Sequence, residues 1–406
     1  MFTIKSIFTA ILFSLFIYLE YFNISYEILD TVIILYAFYL LLNLNKKELF
    51  STGFIIGILW FYWIGYSFIY YELIYIIPIA IIGIGIIYGI IFYFAAIFNN
   101  IIYKVVYFFI LSYIEPFGFN WFKIELPFIN TYISTNKISL LIVLISTAIL
   151  IYGYKNRDKL KISLYIYILS ILSLGISTQL NLNKNIKKLN LKIVLNNTHI
   201  AQENRWDKNY RYSIIKDNLL KIEKAIKNNN DIIIFPETAF PLILNKDKDL
   251  FNKLKDYSKD ISIITGALYL EDNNIFNSTY LFQNEKIDIA NKVVLVPFGE
   301  AVPFPKIIRD FINNTFYNGA KDYEVAKNPT TFNIKGIKFR NAICYEATTD
   351  KIYQNLNTNY IIITSNNAWF TPSIEPTLQD ILLKYYSNKY DFYYYHITNS
   401  SPKTLF

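Results

Sequence analysis

Up to about Gly175 the chain is run after run of isoleucine, leucine, phenylalanine and tyrosine with few charges, and from Asn181 onward the charged residues gather. A bilayer core is crossed by about 20 mostly apolar helical residues. Backbone within lipid must satisfy its own hydrogen bonds, so such runs are restricted to spanning helices. Seven candidate spans follow: Ile7–Phe22, Tyr26–Leu44, Phe54–Ile69, Ile74–Phe98, Ile101–Ile114, Ile138–Tyr152 and Ile162–Ile176. The first and fifth are short. No small-residue cleavage site follows the first run, which argues against a signal peptide.

Cations between the spans predict an orientation. Lys5, then Lys46 and Lys47, then Lys104, then Lys155, Arg157, Lys159 and Lys161 fall on alternate loops. Lys123 and Lys137 lie in the longer loop before span six. The positive-inside rule puts the N-terminus in the cytoplasm, and seven crossings put the second half outside. Glu115, before Pro116, is the carboxylate expected nearest membrane depth, as a functional group or an interfacial helix end. The net charge of +8 is spread thinly, with no basic, aromatic-interleaved run for nucleic acid. Two histidines, His199 and His396, exclude a histidine-rich metal site, and a single cysteine excludes an intrachain disulfide.

From Leu191 short apolar runs alternate with lysine-rich amphipathic segments, the pattern of an α/β layered domain. Strands are expected at Lys192–Leu195, Asp231–Phe235, Ile261–Leu268, Ser278–Phe282, Ala342–Cys344 and Tyr360–Thr364. Helices are expected at Tyr210–Lys227, Lys246–Tyr257 and Pro376–Tyr390. Glu237 follows the strand run DIIIFP, Lys292 precedes VVLVPFGE, and the lone thiol, Cys344, ends FRNAIC. A thiol nucleophile needs a base and a donor for its carbonyl adduct, which these three side chains supply. Each alone also has a plain structural reading. Cys344 could be a small buried residue, Glu237 a helix-end carboxylate and Lys292 a solvated strand-edge cation. Glu300 and Glu346 read as surface residues in isolation.

The strings FPETAFP, NKVVLVPFGEAVPF, AICYEA and ITSNNAWF, in that order, resemble the nitrilase (carbon–nitrogen hydrolase) superfamily and its Glu-Lys-Cys triad. With PFGE after the lysine and CYE at the cysteine, the chain is similar to the apolipoprotein N-acyltransferase family. LKIVLNNTHIAQENRW, with Gln202 and Arg205-Trp206, is similar to that family's opening segment, and GFIIGILWFYW to its third span. The resemblance implies a polytopic α-helical membrane domain over 1–178, then a nitrilase-like αββα sandwich over 188–406. It implies Glu237 as general base, Lys292 as oxyanion-stabilising lysine and Cys344 as nucleophile. Glu300 would support the lysine, Tyr345 would offer a backbone oxyanion donor, and Glu346 and Trp369 would lie near the site.

The chemistry implied is acyl transfer from a membrane phospholipid, phosphatidylethanolamine, through a Cys344 thioester to the amine of a diacylated apolipoprotein. It needs no cofactor and no metal. The implied place is a bacterial inner membrane with the catalytic domain periplasmic. The helix after Trp369 departs from the family, with Lys384 and Lys389 for arginines and His396-Ile397-Thr398-Asn399 in the later motif. The chain stops at Phe406, so the family's closing strands and last membrane helix are expected to be absent. A membrane-tethered amidase and a degenerate, non-catalytic membrane protein remain as alternatives. The stretch Pro303–Lys327 is a candidate lid.

Overall fold

The computed structural model describes residues 2–155, 189–297, 300 and 323–400. The seventh expected span and most of the candidate lid lie outside them. The chain separates into two compact units, residues 1–184 with 373–389, and residues 185–372 with 390–406.

In the first unit, helices α1 (Ile4–Tyr21), α2 (Glu27–Asn43), α3 (Lys46–Phe61), α4 (Ile77–Phe94), α5 (Ile101–Leu111) and α6 (Lys137–Lys155) occupy the first six expected spans. Among the described residues four helical segments are long and apolar enough to cross a membrane: 4–21, 46–70, 74–94 and 137–155. Helix α5, with 11 residues, is too short by that measure.

Two cations behave differently from the loop groups expected of them. Helix α3 begins at Lys46, not Phe54, because Asn45 caps it by accepting from the N–H groups of Lys47 and Glu48, while Glu48 reaches back. Lys104 lies inside α5 and is buried, where its Nζ donates to the carbonyls of Leu42 (2.9 Å) and Leu44 (2.6 Å). Those oxygens end α2, so a buried ammonium caps a helix C-terminus.

Close packing of α3 on α4 depends on small residues. A Cβ at Gly53 would stand 2.4 Å from the Tyr88 carbonyl oxygen. Glu115 is exposed and lies 3.7 Å from Lys123. Glu125, by contrast, is fully buried, 2.6 Å from Lys137 Nζ and accepting from the Tyr385 hydroxyl at 3.0 Å.

The second unit is a sandwich. Among the described residues, one sheet runs β1 (Ile193–Leu195), β2 (Ile232–Ile234), β4 (Ser262–Glu271), β5 (Asn274–Gln283) and β6 (Lys286–Asn291), with β3 (Phe240–Ile243) also beside β4. The other runs β10 (Tyr393–Asn399), β9 (Tyr360–Asn366), β8 (Ile337–Ile343) and β7 (Thr331–Ile334). Strands β1, β2 and β4 are mutually parallel, as are β8, β9 and β10.

Strand β2 shows why the sheet stacks as it does. Ile232 and Ile234 face the second sheet, packing in one core with Phe339, Ile362 and Ile397. Ile233 points the other way, into a core with Ile222, Leu250 and Leu254. The period-2 alternation thus buries both faces of an all-isoleucine strand. The outer core is completed by α8 (Lys208–Lys227), capped by Asp207, and α9 (Lys248–Tyr257), capped by Asp247. A short helical turn, α7 (Gln202–Arg205), precedes them. Helix α10 (Glu375–Tyr390) belongs to the first unit, where Lys384 is 2.5 Å from Glu20.

Candidate active site

Glu237 follows β2 in a turn where Thr238 takes a φ of 50°. The turn lies directly on Gly266 of β4, where a Cβ would stand 2.3 Å from the Thr238 nitrogen and 2.7 Å from the Glu237 Cα. Only glycine allows so close an approach.

Lys292 leaves the end of β6, its N–H donating to the Asn277 carbonyl at 2.9 Å. Far from being a solvated edge cation, it is completely buried. Its Nζ lies 2.7 Å from Glu300 Oε2 and 3.7 Å from Glu237 Oε1. Asn277 of β5 bridges the two carboxylates, its Nδ2 standing 2.7 Å from Glu237 Oε1 and 3.1 Å from Glu300 Oε1. Burial pulls the Lys292 pKa down, but Glu300, Glu237 and Cys344 outweigh it and leave the value raised above an ordinary lysine. The ammonium therefore persists at neutral pH.

Cys344 directly follows β8 and opens a tight helical turn with a φ of 53°, a strained conformation for a residue with a Cβ. It is half-buried, and close enough to Lys292 and Arg205 to act on the charge of both. Strain at this position is held by Glu346, two residues on. One Glu346 oxygen accepts from the Ile343 N–H at 2.8 Å, and the other from Val293 at 2.6 Å and Val294 at 3.2 Å. The side chain thus ties the cysteine turn to the residues after Lys292. Glu346 is buried, which corrects its reading as a surface residue. Tyr345 is buried in the same turn. Trp369 is half-buried at the end of β9, the parallel neighbour of β8.

Two polar residues join this group without having been assigned a role from sequence. Asn277 is a buried Asn inside a strand, a residue type that strands disfavour, and that mismatch is its one signal. Arg205 is buried and donates through Nη2 to the main-chain carbonyl of Glu237. Among the described residues no group of three or more His, Cys, Asp or Glu is placed to hold a metal.

This arrangement of thiol, ammonium and two carboxylates lies on a chain with known relatives. An apolipoprotein N-acyltransferase of Wolinella succinogenes is 40% identical over 98% of this chain and 94% of its own length. The chain belongs to the apolipoprotein N-acyltransferase family. A Campylobacter jejuni member is 35% identical over 99% of this chain and 89% of its own. The model of the apolipoprotein N-acyltransferase integral membrane domain matches residues 1–174, and that of the carbon–nitrogen hydrolase domain residues 200–400. A CN-hydrolase superfamily protein of Xanthomonas campestris aligns at TM-score 0.40 and 13% identity, over 52% of this chain and 77% of that one. Family membership makes the chain a multi-pass membrane acyltransferase with a nitrilase-like domain.

Glu346 also carries a pH expectation for this apolipoprotein N-acyltransferase family member. Burial pushes its carboxyl up to about 7, although three N–H donors and Lys292 oppose the shift. The folded state therefore binds a proton that the unfolded chain releases near pH 4.5. Its stabilising contribution is full below about pH 4.5 and is lost as pH rises through about 7. Glu346→Gln should flatten the dependence of Tm on pH across that window. It should also slow acyl transfer by about tenfold or more, since an NH₂ group then meets the Val293 and Val294 N–H groups. A Tm profile with unchanged slope counts against the titration of Glu346.

Proposed function

We propose that the chain moves a fatty acyl group from a membrane phospholipid to the N-terminal amine of a diacylglyceryl-cysteine apolipoprotein, through a thioester on Cys344. The observation that carries this reading is the buried Glu237–Lys292–Glu300 group beside a strained, half-buried thiol, on a chain with a membrane domain. Cys344 Sγ attacks the carbonyl carbon of the donor ester as its proton passes to Glu237. The resulting oxyanion is met by the Lys292 ammonium and by the N–H of Tyr345. Collapse breaks the ester C–O bond, and the leaving lysophospholipid oxygen takes the proton back from Glu237.

In the second half-reaction the neutral acceptor amine attacks the thioester carbonyl and gives up a proton to Glu237. The C–S bond breaks, the amide forms, and Cys344 regains the proton. Glu300 holds Lys292 in place, and Glu346 holds the cysteine turn. Two acyl exchanges through one covalent intermediate imply ping-pong kinetics. Phosphatidylethanolamine suits the donor role because it places an acyl ester at the bilayer surface. The proposed setting is a bacterial inner membrane, with the N-terminus cytoplasmic and the thiol domain periplasmic.

The test uses the single cysteine. Purified protein incubated with acyl-labelled phosphatidylethanolamine should gain a hydroxylamine-sensitive acyl group, and Cys344→Ala should not. In spheroplasts an impermeant maleimide should label Cys344 from outside. No adduct on the unaltered protein sinks the acyl-transfer reading, and labelling only after lysis sinks the orientation.

A further inference from the structure

Lys292 is shared. It neutralises Glu300 at 2.7 Å and Glu237 at 3.7 Å, so one ammonium faces two carboxylates. A Cys344 thiolate formed by losing its proton to solvent, the state that alkylation reads, adds another negative charge to a buried cluster. With Lys292 alone the count is one cation against two carboxylates, a net −1 that stays −1 when Glu237 takes the thiol proton and becomes −2 when solvent takes it. Burial makes such an excess costly.

Arg205 supplies the missing charge. The guanidinium is buried, with Nη2 on the Glu237 carbonyl, and its Nη1 has no hydrogen-bond partner among the described residues. An unpartnered buried guanidinium nitrogen is expensive, and it is unexplained if the residue serves packing alone. The turn carrying it is itself fixed. Gln202 Oε1 accepts from Asn366 at 2.9 Å, and Asn366 accepts from Asn399 at 2.8 Å, which anchors α7 to the ends of β9 and β10. The groups within electrostatic reach of Arg205 are Glu237, Cys344 and Tyr323. Those around Lys292 include Glu300, Glu237 and Cys344, and Glu346 and Tyr323 feel Lys292 in turn. Burial pushes the Tyr323 phenol up to about 12, so it stays neutral, and Arg205, lowered to about 10 by burial, stays charged at pH 7.

We propose that Arg205 is a positioning residue for the thiol chemistry. It holds the Glu237 turn by its main-chain carbonyl and balances the site so that Cys344 can ionise. Its purpose rests on the acyl-transfer reading, but its test reads the thiol directly and needs no lipid substrate.

The rate of Cys344 alkylation by iodoacetamide is measured from pH 5 to 10 on the full-length protein in detergent. One cysteine makes the signal unambiguous. Arg205→Gln should move the midpoint up by about one unit or more, roughly a tenfold loss of rate near neutral pH. Arg205→Lys, which keeps the charge, should stay within about 0.3 unit of wild type. A merely structural role predicts no such rescue. A folded Arg205→Gln protein with an unmoved midpoint overturns the proposal. If Arg205→Gln does not fold, Arg205→Lys decides: a midpoint raised by a full unit overturns it, and an unmoved one supports it. A missing phospholipid adduct alongside a shifted alkylation profile would reject the acyl-transfer reading and keep Arg205 in its role.

Discussion

Lys292→Met is expected to slow thioester formation at least about a thousandfold and to destabilise the second unit at the same time. Removing one well-placed oxyanion donor costs about 10²–10³ in rate. Here the same change also leaves Glu237 and Glu300 facing each other through Asn277 with their shared cation gone. The surplus negative charge then raises the cost of forming an oxyanion beside them. Breaking a buried ion pair by deleting one partner costs about 3–5 kcal/mol. The two effects separate in a double variant. Adding Glu300→Gln to Lys292→Met removes the surplus carboxylate and should recover most of the lost Tm, while thioester formation stays down. Retention of more than about a tenth of the wild-type rate in Lys292→Met is incompatible with the role given to this ammonium.

The parts of this fold legible in sequence were those carried by local pattern. The run Ile232–Ile234 is apolar on both faces because both faces are buried, so it announced itself as a strand. Strand β6, KIDIAN, has an exposed edge alternating with half-buried residues over its first four positions and ends against Lys292, and it is not among the strands expected from sequence. Strand β10, YYYHITN, looked like a family motif gone astray. In the structure it pairs in parallel with β9 from Tyr393↔Tyr360 to Asn399↔Asn366. Its register is set by long-range pairing that no single-chain pattern encodes.

The site divides the same way. Glu237, Lys292 and Cys344 stand at strand ends, where chemistry is commonly displayed, and their strings named them. Glu346 looked like a surface residue because acidic side chains usually are. Its burial depends on three N–H groups, two of them from a segment more than fifty residues upstream. Asn277 and Arg205 matter only through where the fold delivers them. The main-chain carbonyl that Arg205 binds cannot be inferred from side-chain identity at all.

Gly266→Ala tests the least visible support of the site, because the substitution touches no polar side chain. A methyl group at that position would sit 2.3 Å from the Thr238 nitrogen and 2.7–2.8 Å from the Glu237 backbone. Those contacts are main chain, so no flexible side-chain tip can yield. Either β4 bows away or the Glu237 turn lifts, and the turn is the less restrained of the two because β4 is paired along its length with β5. A lifted turn shifts the Glu237 carboxylate away from Asn277 and Lys292. Overpacking of this kind costs about 1–3 kcal/mol, and a displacement of about 1 Å costs about a hundredfold in rate. The expected result is a lower Tm together with thioester formation slowed about a hundredfold, while Lys292 keeps its ion pair with Glu300. Gly83→Ala is the matched control, since a Cβ there meets nothing within 4 Å and lies within α4. It should leave the rate unchanged and the helix no weaker. A Gly266→Ala protein with wild-type turnover means that Glu237 reaches its proton without the close approach of the two backbones.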